Sequence, residues 1–137
     1  DRIYAFGTGE VQSNAVKELK RNLLSIGKLV NAIEGNDEME IMTNFMTESD
    51  MIFFISLSGE NKRLNKFAKI LKDKGISIVS ITQSGNNSLS KLSDISIQFY
   101  TAEVARLDDN LQIISSSQFF IINEFLLLKY LEYKYSK

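Results

Sequence analysis

Five consecutive apolar residues, Met51-Ile52-Phe53-Phe54-Ile55, run directly into the polar segment Ser56-Leu57-Ser58-Gly59-Glu60-Asn61. A strand with no polar alternation has no face to give to water, and such strands belong to parallel sheets covered by helices on both sides. The chain must therefore supply parallel neighbours for this strand and helices for both faces. Its 137 residues suffice for one domain with a core of that kind.

The remaining pattern supplies those parts in alternation. Ile3-Tyr4-Ala5-Phe6 reads as a first buried strand closed by Gly7-Thr8-Gly9, and Val11, Ala15, Leu19, Leu23 and Ile26 recur at helical spacing up to Gly27. Lys28 to Ile33 reads as a weaker second strand, and Met39, Ile41, Met42, Phe45 and Met46 mark a second helix. Leu64, Phe67, Ala68 and Leu71 follow the strongest strand at helical spacing, with Gly75 as the terminating glycine. Ile76 to Ile81 is a fourth strand, a short helix surrounds Leu89 and Leu92, and Ile95 to Phe99 is a fifth strand. A polar connection then leads to a long terminal helix from about Ile113 to Tyr135. Strand–helix alternation with right-handed crossovers predicts a three-layer α/β sandwich.

Composition narrows the chemistry. The chain has neither cysteine nor histidine, so disulfides, thiolate metal sites and an imidazole base are all excluded. No cofactor and no metal site are expected. A net charge of −1 gives no broad footprint for nucleic acid. The apolar stretch from Phe119 to Leu128 is interrupted by Asn123 and Glu124 and is too short to span a bilayer. A cytoplasmic protein without membrane contact is the expectation. The opening Asp1-Arg2 enters a strand at once, which suggests a domain taken from a longer protein.

In open parallel sheets, ligands bind beyond the carboxyl ends of the strands, where the strand order reverses. For a five-stranded order 2-1-3-4-5, that crevice lies between the loops after strands one and three. These are the two loops richest in small polar residues, Gly7-Thr8-Gly9-Glu10 and Ser56 to Asn61. Ser56 and Ser58 offer hydroxyls, Gly59 permits close backbone approach, and the N–H groups opening the next helix point toward an anion. Glu60 and Asn61 are expected in the first turn of that helix. The competing reading is a helix cap, in which Ser58 or Asn61 satisfies free backbone donors. Gly7-x-Gly9 begins like a dinucleotide fingerprint but continues to Gln12 rather than glycine, and a tight strand-to-helix turn explains it equally well. No P-loop motif is present, and Ser56 occupies the position where a phosphate receiver would carry aspartate.

Ile55-Ser56-Leu57-Ser58-Gly59-Glu60-Asn61 resembles the Ser-x-Ser-Gly-Glu-Thr signature of SIS (sugar isomerase) domains. The likeness covers nearly the whole chain. Ile3 to Gly9 resembles the family's opening strand and Gly-x-Gly loop, Gly75 to Thr82 its later strand, and Asn87 to Asp94 its Ser-Pro-Leu-Ala-x-x-Ala-Asp element. Ile26-Gly27-Lys28 and Gln118 to Asn123 are most similar to the effector domains of RpiR-type transcriptional regulators. The resemblance implies a flavodoxin-like sheet of order 2-1-3-4-5, a homodimer and a sugar-phosphate effector. It also implies an N-terminal helix-turn-helix domain beyond residues 1–137, through which any DNA would be bound. The implied phosphosugar contacts are Ser56, Ser58, Gly59, Glu60 and Asn61, with Gly7, Thr8 and Gly9. The chain departs from the family where Asn61 replaces threonine, where Val11 falls near the usual serine with Ser13 one turn on, and where Asn22 and Ser25 replace basic residues.

Three functions fit these residues. The first is a sensor that binds a sugar phosphate and biases a dimeric DNA-binding protein. The second is an aldose–ketose phosphate isomerase or related lyase, whose base would have to be a carboxylate: Glu10 or Glu103, since Glu60 is better placed to favour a helix N-terminus. The third is an interaction module that has lost its ligand. Phe119, Phe120, Ile121, Ile122, Phe125, Leu126, Leu127, Leu128 and Leu131 make the terminal helix apolar nearly all round, which favours a homodimer built on it.

Overall fold

A computed structural model of the chain describes residues 2–100, 103–108, 111–114 and 117–135, the segments 103–108 and 111–114 by their backbone. The main sheet contains β1 (Ile3–Gly7), β2 (Val30–Ala32), β3 (Met51–Ile55), β4 (Ser77–Gln83) and β5 (Ile95–Phe99). It is parallel throughout, in the order β2-β1-β3-β4-β5. The helices are α1 (Glu10–Leu24), α2 (Gly35–Phe45), α3 (Lys62–Asp73), α4 (Ser88–Leu92) and α5 (Ser117–Tyr135).

Each face of the sheet has its own core, as the unbroken apolar run of β3 requires. Tyr4, Phe6, Ile52, Phe54 and Ile78 pack with Met39, Leu64, Phe67, Leu71 and Leu89 of α2, α3 and α4. Phe6 sits edge-on to both Phe54 and Phe67, with centroids 6.4 and 6.5 Å away. On the other face, Ala5, Ile55 and Ile81 pack with Ala15, Val16, Leu19 and Leu23 of α1 and Phe119 of α5. Burial of each Val, Leu, Ile, Phe or Met side chain among these stabilises the fold by roughly 1.5–3 kcal/mol. The three-layer sandwich expected from the sequence is the fold that forms.

The amino edge of the sheet is fastened by Asp50, the residue before β3. Its buried carboxylate accepts the Thr47 N–H at 2.9 Å and the Arg2 N–H at 3.1 Å, and pairs with the Arg2 guanidinium at 3.3 Å. Burial pushes this carboxyl upward, but the two backbone donors and Arg2 together more than offset that and hold it below the usual carboxylate range.

Beyond β5 the chain departs from the expectation set by its sequence. The expected polar connection contains an antiparallel pair, β6 (Glu103–Asp108) with β7 (Leu111–Ile114), separate from the main sheet. The terminal helix starts at Ser117, not near Ile113, because Ile113 and Ile114 lie in β7. Short apolar runs of that kind suit a strand or a helix equally, and periodicity alone cannot decide between them. The helix docks on α1, where the buried Asn123 amide donates to the Ala15 carbonyl at 2.8 Å. Ile121, Phe125 and Leu128 stay 60%, 54% and 63% exposed along its outer side.

Candidate functional site

The register of β1, β3 and β4 brings the candidate loops together. Gly7 pairs with Ile55, and the Thr8 N–H donates to the Ile55 carbonyl at 3.1 Å. One strand further on, the Ser56 N–H donates to Ile81 at 3.1 Å and the Gln83 N–H to Leu57 at 2.9 Å. Thr8, Ser56 and Thr82 thus stand side by side at the carboxyl edge.

Gly7 and Gly9 are required by the turn itself. A Cβ at Gly7 would lie 2.6 Å from the Gln12 backbone, so only glycine lets α1 descend this closely onto the end of β1. Gly9 caps α1 with φ +97°, a left-handed conformation that favours glycine. Ser13 turns its hydroxyl back to the Gly7 carbonyl at 3.4 Å.

The second loop is held by its own polar side chains. The buried Ser56 Oγ accepts the Gly59 N–H at 3.2 Å, and Ser58 Oγ accepts the Glu60 N–H at 3.1 Å. Asn61 lies one residue before α3 rather than in its first turn, and its Oδ1 accepts the Leu64 N–H at 2.9 Å as the helix cap. Asn61 therefore does what the cap reading required. The exposed Ser58 hydroxyl keeps its proton to donate outward. Lys62 and Arg63 open α3 with N–H groups that meet no carbonyl within the helix. A hydroxyl donor beside such N–H groups can seat an anion.

Glu60 is placed differently from its expected role at α3. Its carboxylate reaches across to α4, accepting the Ser88 hydroxyl at 2.6 Å and the Ser88 N–H at 3.1 Å. The segment before α4 closes the loop from above. The Gly59 carbonyl accepts the Leu89 N–H at 3.0 Å and the Asn65 amide at 3.1 Å. Asn87 is buried; its Nδ2 donates to Thr82 Oγ1 at 3.0 Å and its Oδ1 accepts the Ser90 N–H at 2.8 Å. Thr82, Asn87 and Ser88 join the candidate site, whereas the sequence places them only in elements that resemble the family and not among the contact residues. Asn87 could have been found as the cap of a short helix, whereas a bond spanning 28 residues leaves no local signal.

Of the carboxylate candidates, Glu10 is an exposed first-turn residue of α1, and Glu103 opens β6, with its side chain outside the described part of the chain. Asn22 and Ser25 sit at the far end of the 15-residue α1, roughly 20 Å of helix away from the loops. A cleft of about 240 Å³ lined by Ser13, Lys17, Glu34 and Gly35 opens beside the first loop. A wider one of about 690 Å³ lies between α2 and α3 and shares only Lys62 and Arg63 with the start of α3. Among the described residues no group of carboxylates is placed to hold a metal ion, and no helix is long and apolar enough to cross a membrane.

Residues 1–122 match the SIS domain family. The chain is 32% identical over 134 residues to the HTH-type transcriptional regulator GlvR of Bacillus subtilis, covering 98% of this chain and 52% of that protein. It thus spans about half the length of that relative. Among solved structures, the sugar isomerase domain of an RpiR transcription factor from Sphaerobacter thermophilus superposes with a TM-score of 0.81 at 16% identity, covering 94% of this chain and 69% of that one. The Vibrio vulnificus NanR protein complexed with ManNAc-6P superposes at 0.76 with 20% identity, covering 98% of this chain and 50% of that one. At these identities the superpositions speak for the fold.

Proposed function

Because this chain belongs to the SIS domain family, we propose that it is the phosphosugar-sensing effector domain of a bacterial RpiR-type transcriptional regulator. The observation that carries the reading is the folded loop from Ser56 to Asn61. It presents the Ser58 hydroxyl and the open N–H groups of α3 at the carboxyl edge of the sheet, beside Thr8. A phosphate is the anion that such a set of neutral donors suits, with the sugar lying toward the Gly7-Thr8-Gly9 loop.

A sensor needs no general base, and the residues at hand favour that. The chain has no histidine, Glu60 is engaged with Ser88, and Glu10 faces solvent from the first turn of α1. Regulation would come from binding the sugar phosphate better in one arrangement of a dimer than in the other. DNA would be contacted by a helix-turn-helix domain outside residues 1–137, in the cytoplasm.

The isomerase reading is separated by following aldose phosphates by NMR in the presence of the protein. A sensor broadens or shifts the resonances of its ligand and leaves the aldose-to-ketose ratio untouched. Accumulation of the ketose phosphate at a rate proportional to protein would return the chain to the enzymes.

A further inference from the structure

We propose that Glu60 is a positioning residue of the phosphate seat, whose carboxylate Ser88 holds against the start of α4 and away from the N-terminus of α3. The proposal rests on the phosphosugar reading above. Glu60 stands two residues before α3, so its charge belongs to the same loop that must accept a phosphate. Left free there, a carboxylate would repel the ligand through a few ångströms of partly solvated space. The structure removes it from that position with two bonds to one residue, at 2.6 Å to the Ser88 hydroxyl and 3.1 Å to the Ser88 N–H.

The contact is specific in direction as well as in length. Asn87 caps α4 by accepting the Ser90 N–H, and Glu60 takes the Ser88 N–H that this cap leaves over. Beside it, the Gly59 carbonyl accepts the Leu89 N–H, so the loop and α4 are joined at consecutive residues. The start of α4 is thereby satisfied by the protein's own groups, whereas Lys62 and Arg63 at the start of α3 keep N–H groups with no carbonyl partner in the helix. Glu60 thus directs a phosphate to α3 without touching it.

The test uses inorganic phosphate as the probe, followed through the backbone amide shifts of Ser58 to Arg63 by NMR. Ser88→Ala removes the hydroxyl bond and should weaken phosphate binding about fivefold. Ser88→Thr keeps the hydroxyl and should bind like the parent. Adding Glu60→Gln to Ser88→Ala removes the charge of a carboxylate now held by the Ser88 N–H alone and should restore affinity to within about twofold, a rescue that a merely structural role of the contact would not produce. Unchanged binding in Ser88→Ala, or failure of Glu60→Gln to rescue it, overturns the proposal while leaving the site intact. A parent protein whose Ser58 to Arg63 amides ignore phosphate removes the seat itself, and this proposal with it.

Discussion

Gly59 and Asn87 are interlocked: a Cβ placed on Gly59 would stand 2.1 Å from the Asn87 Oδ1, the same oxygen that caps α4. Gly59 also has φ +73°, so any side chain there meets backbone strain as well as Asn87. Gly59→Ala should destabilise the fold by about 2–3 kcal/mol, read as a shifted urea midpoint, and should weaken ligand binding further by moving the loop. Substitution without a change in midpoint would mean the loop is not held by this contact.

Asn61 allows stability and binding to be separated. Asn61→Ala removes the α3 cap and should cost about 1 kcal/mol of stability. Asn61→Asp keeps the accepting oxygen, so the urea midpoint should stay near the parent value. Its added charge at the anion seat should nevertheless weaken sugar-phosphate binding at least fivefold by calorimetry. Equal binding by Asn61→Asp would place the phosphate elsewhere.

Acid stability should depend on Asp50. Its folded pKa is depressed, so its contribution is present above the unfolded carboxylate value and is lost as pH falls through the folded one. Asp50→Asn should therefore be less stable than the parent by about 1–3 kcal/mol at pH 7, and the gap should close below about pH 4. Thermal melts across that range give the comparison, and a gap independent of pH would contradict it.

Much of this was legible in advance, for identifiable reasons. The five apolar residues of β3 demanded cover on both faces, and the two cores built on alternate β3 residues, with Phe54 and Ile55 on opposite sides, meet that demand. Gly7, Gly9 and Ser58 were visible because turn glycines and small hydroxyl residues mark strand-to-helix loops. What stays hidden depends on distance along the chain: sequence shows only near neighbours and so assigns Glu60 to α3, whereas its partner Ser88 is 28 residues on. The β6–β7 pair was hidden because Leu111 to Ile114 carries no period long enough to exclude a helix.

The exposed row of Ile121, Phe125 and Leu128 fits the homodimer expected of a sensor. Phe125→Glu together with Leu128→Glu should convert a sedimenting dimer into a 15.6 kDa monomer with unchanged circular dichroism. A parent domain that already sediments as a monomer at micromolar concentration removes the dimer from the account.

The central claim is met most directly by calorimetric titration of the domain with a panel of hexose and amino-sugar phosphates and their unphosphorylated counterparts. The account predicts saturable binding of at least one sugar phosphate, no binding of the matching free sugar, and a loss of about 1–3 kcal/mol in Ser58→Ala. Heats that are absent across the whole panel, or equal with and without the phosphate, would contradict it.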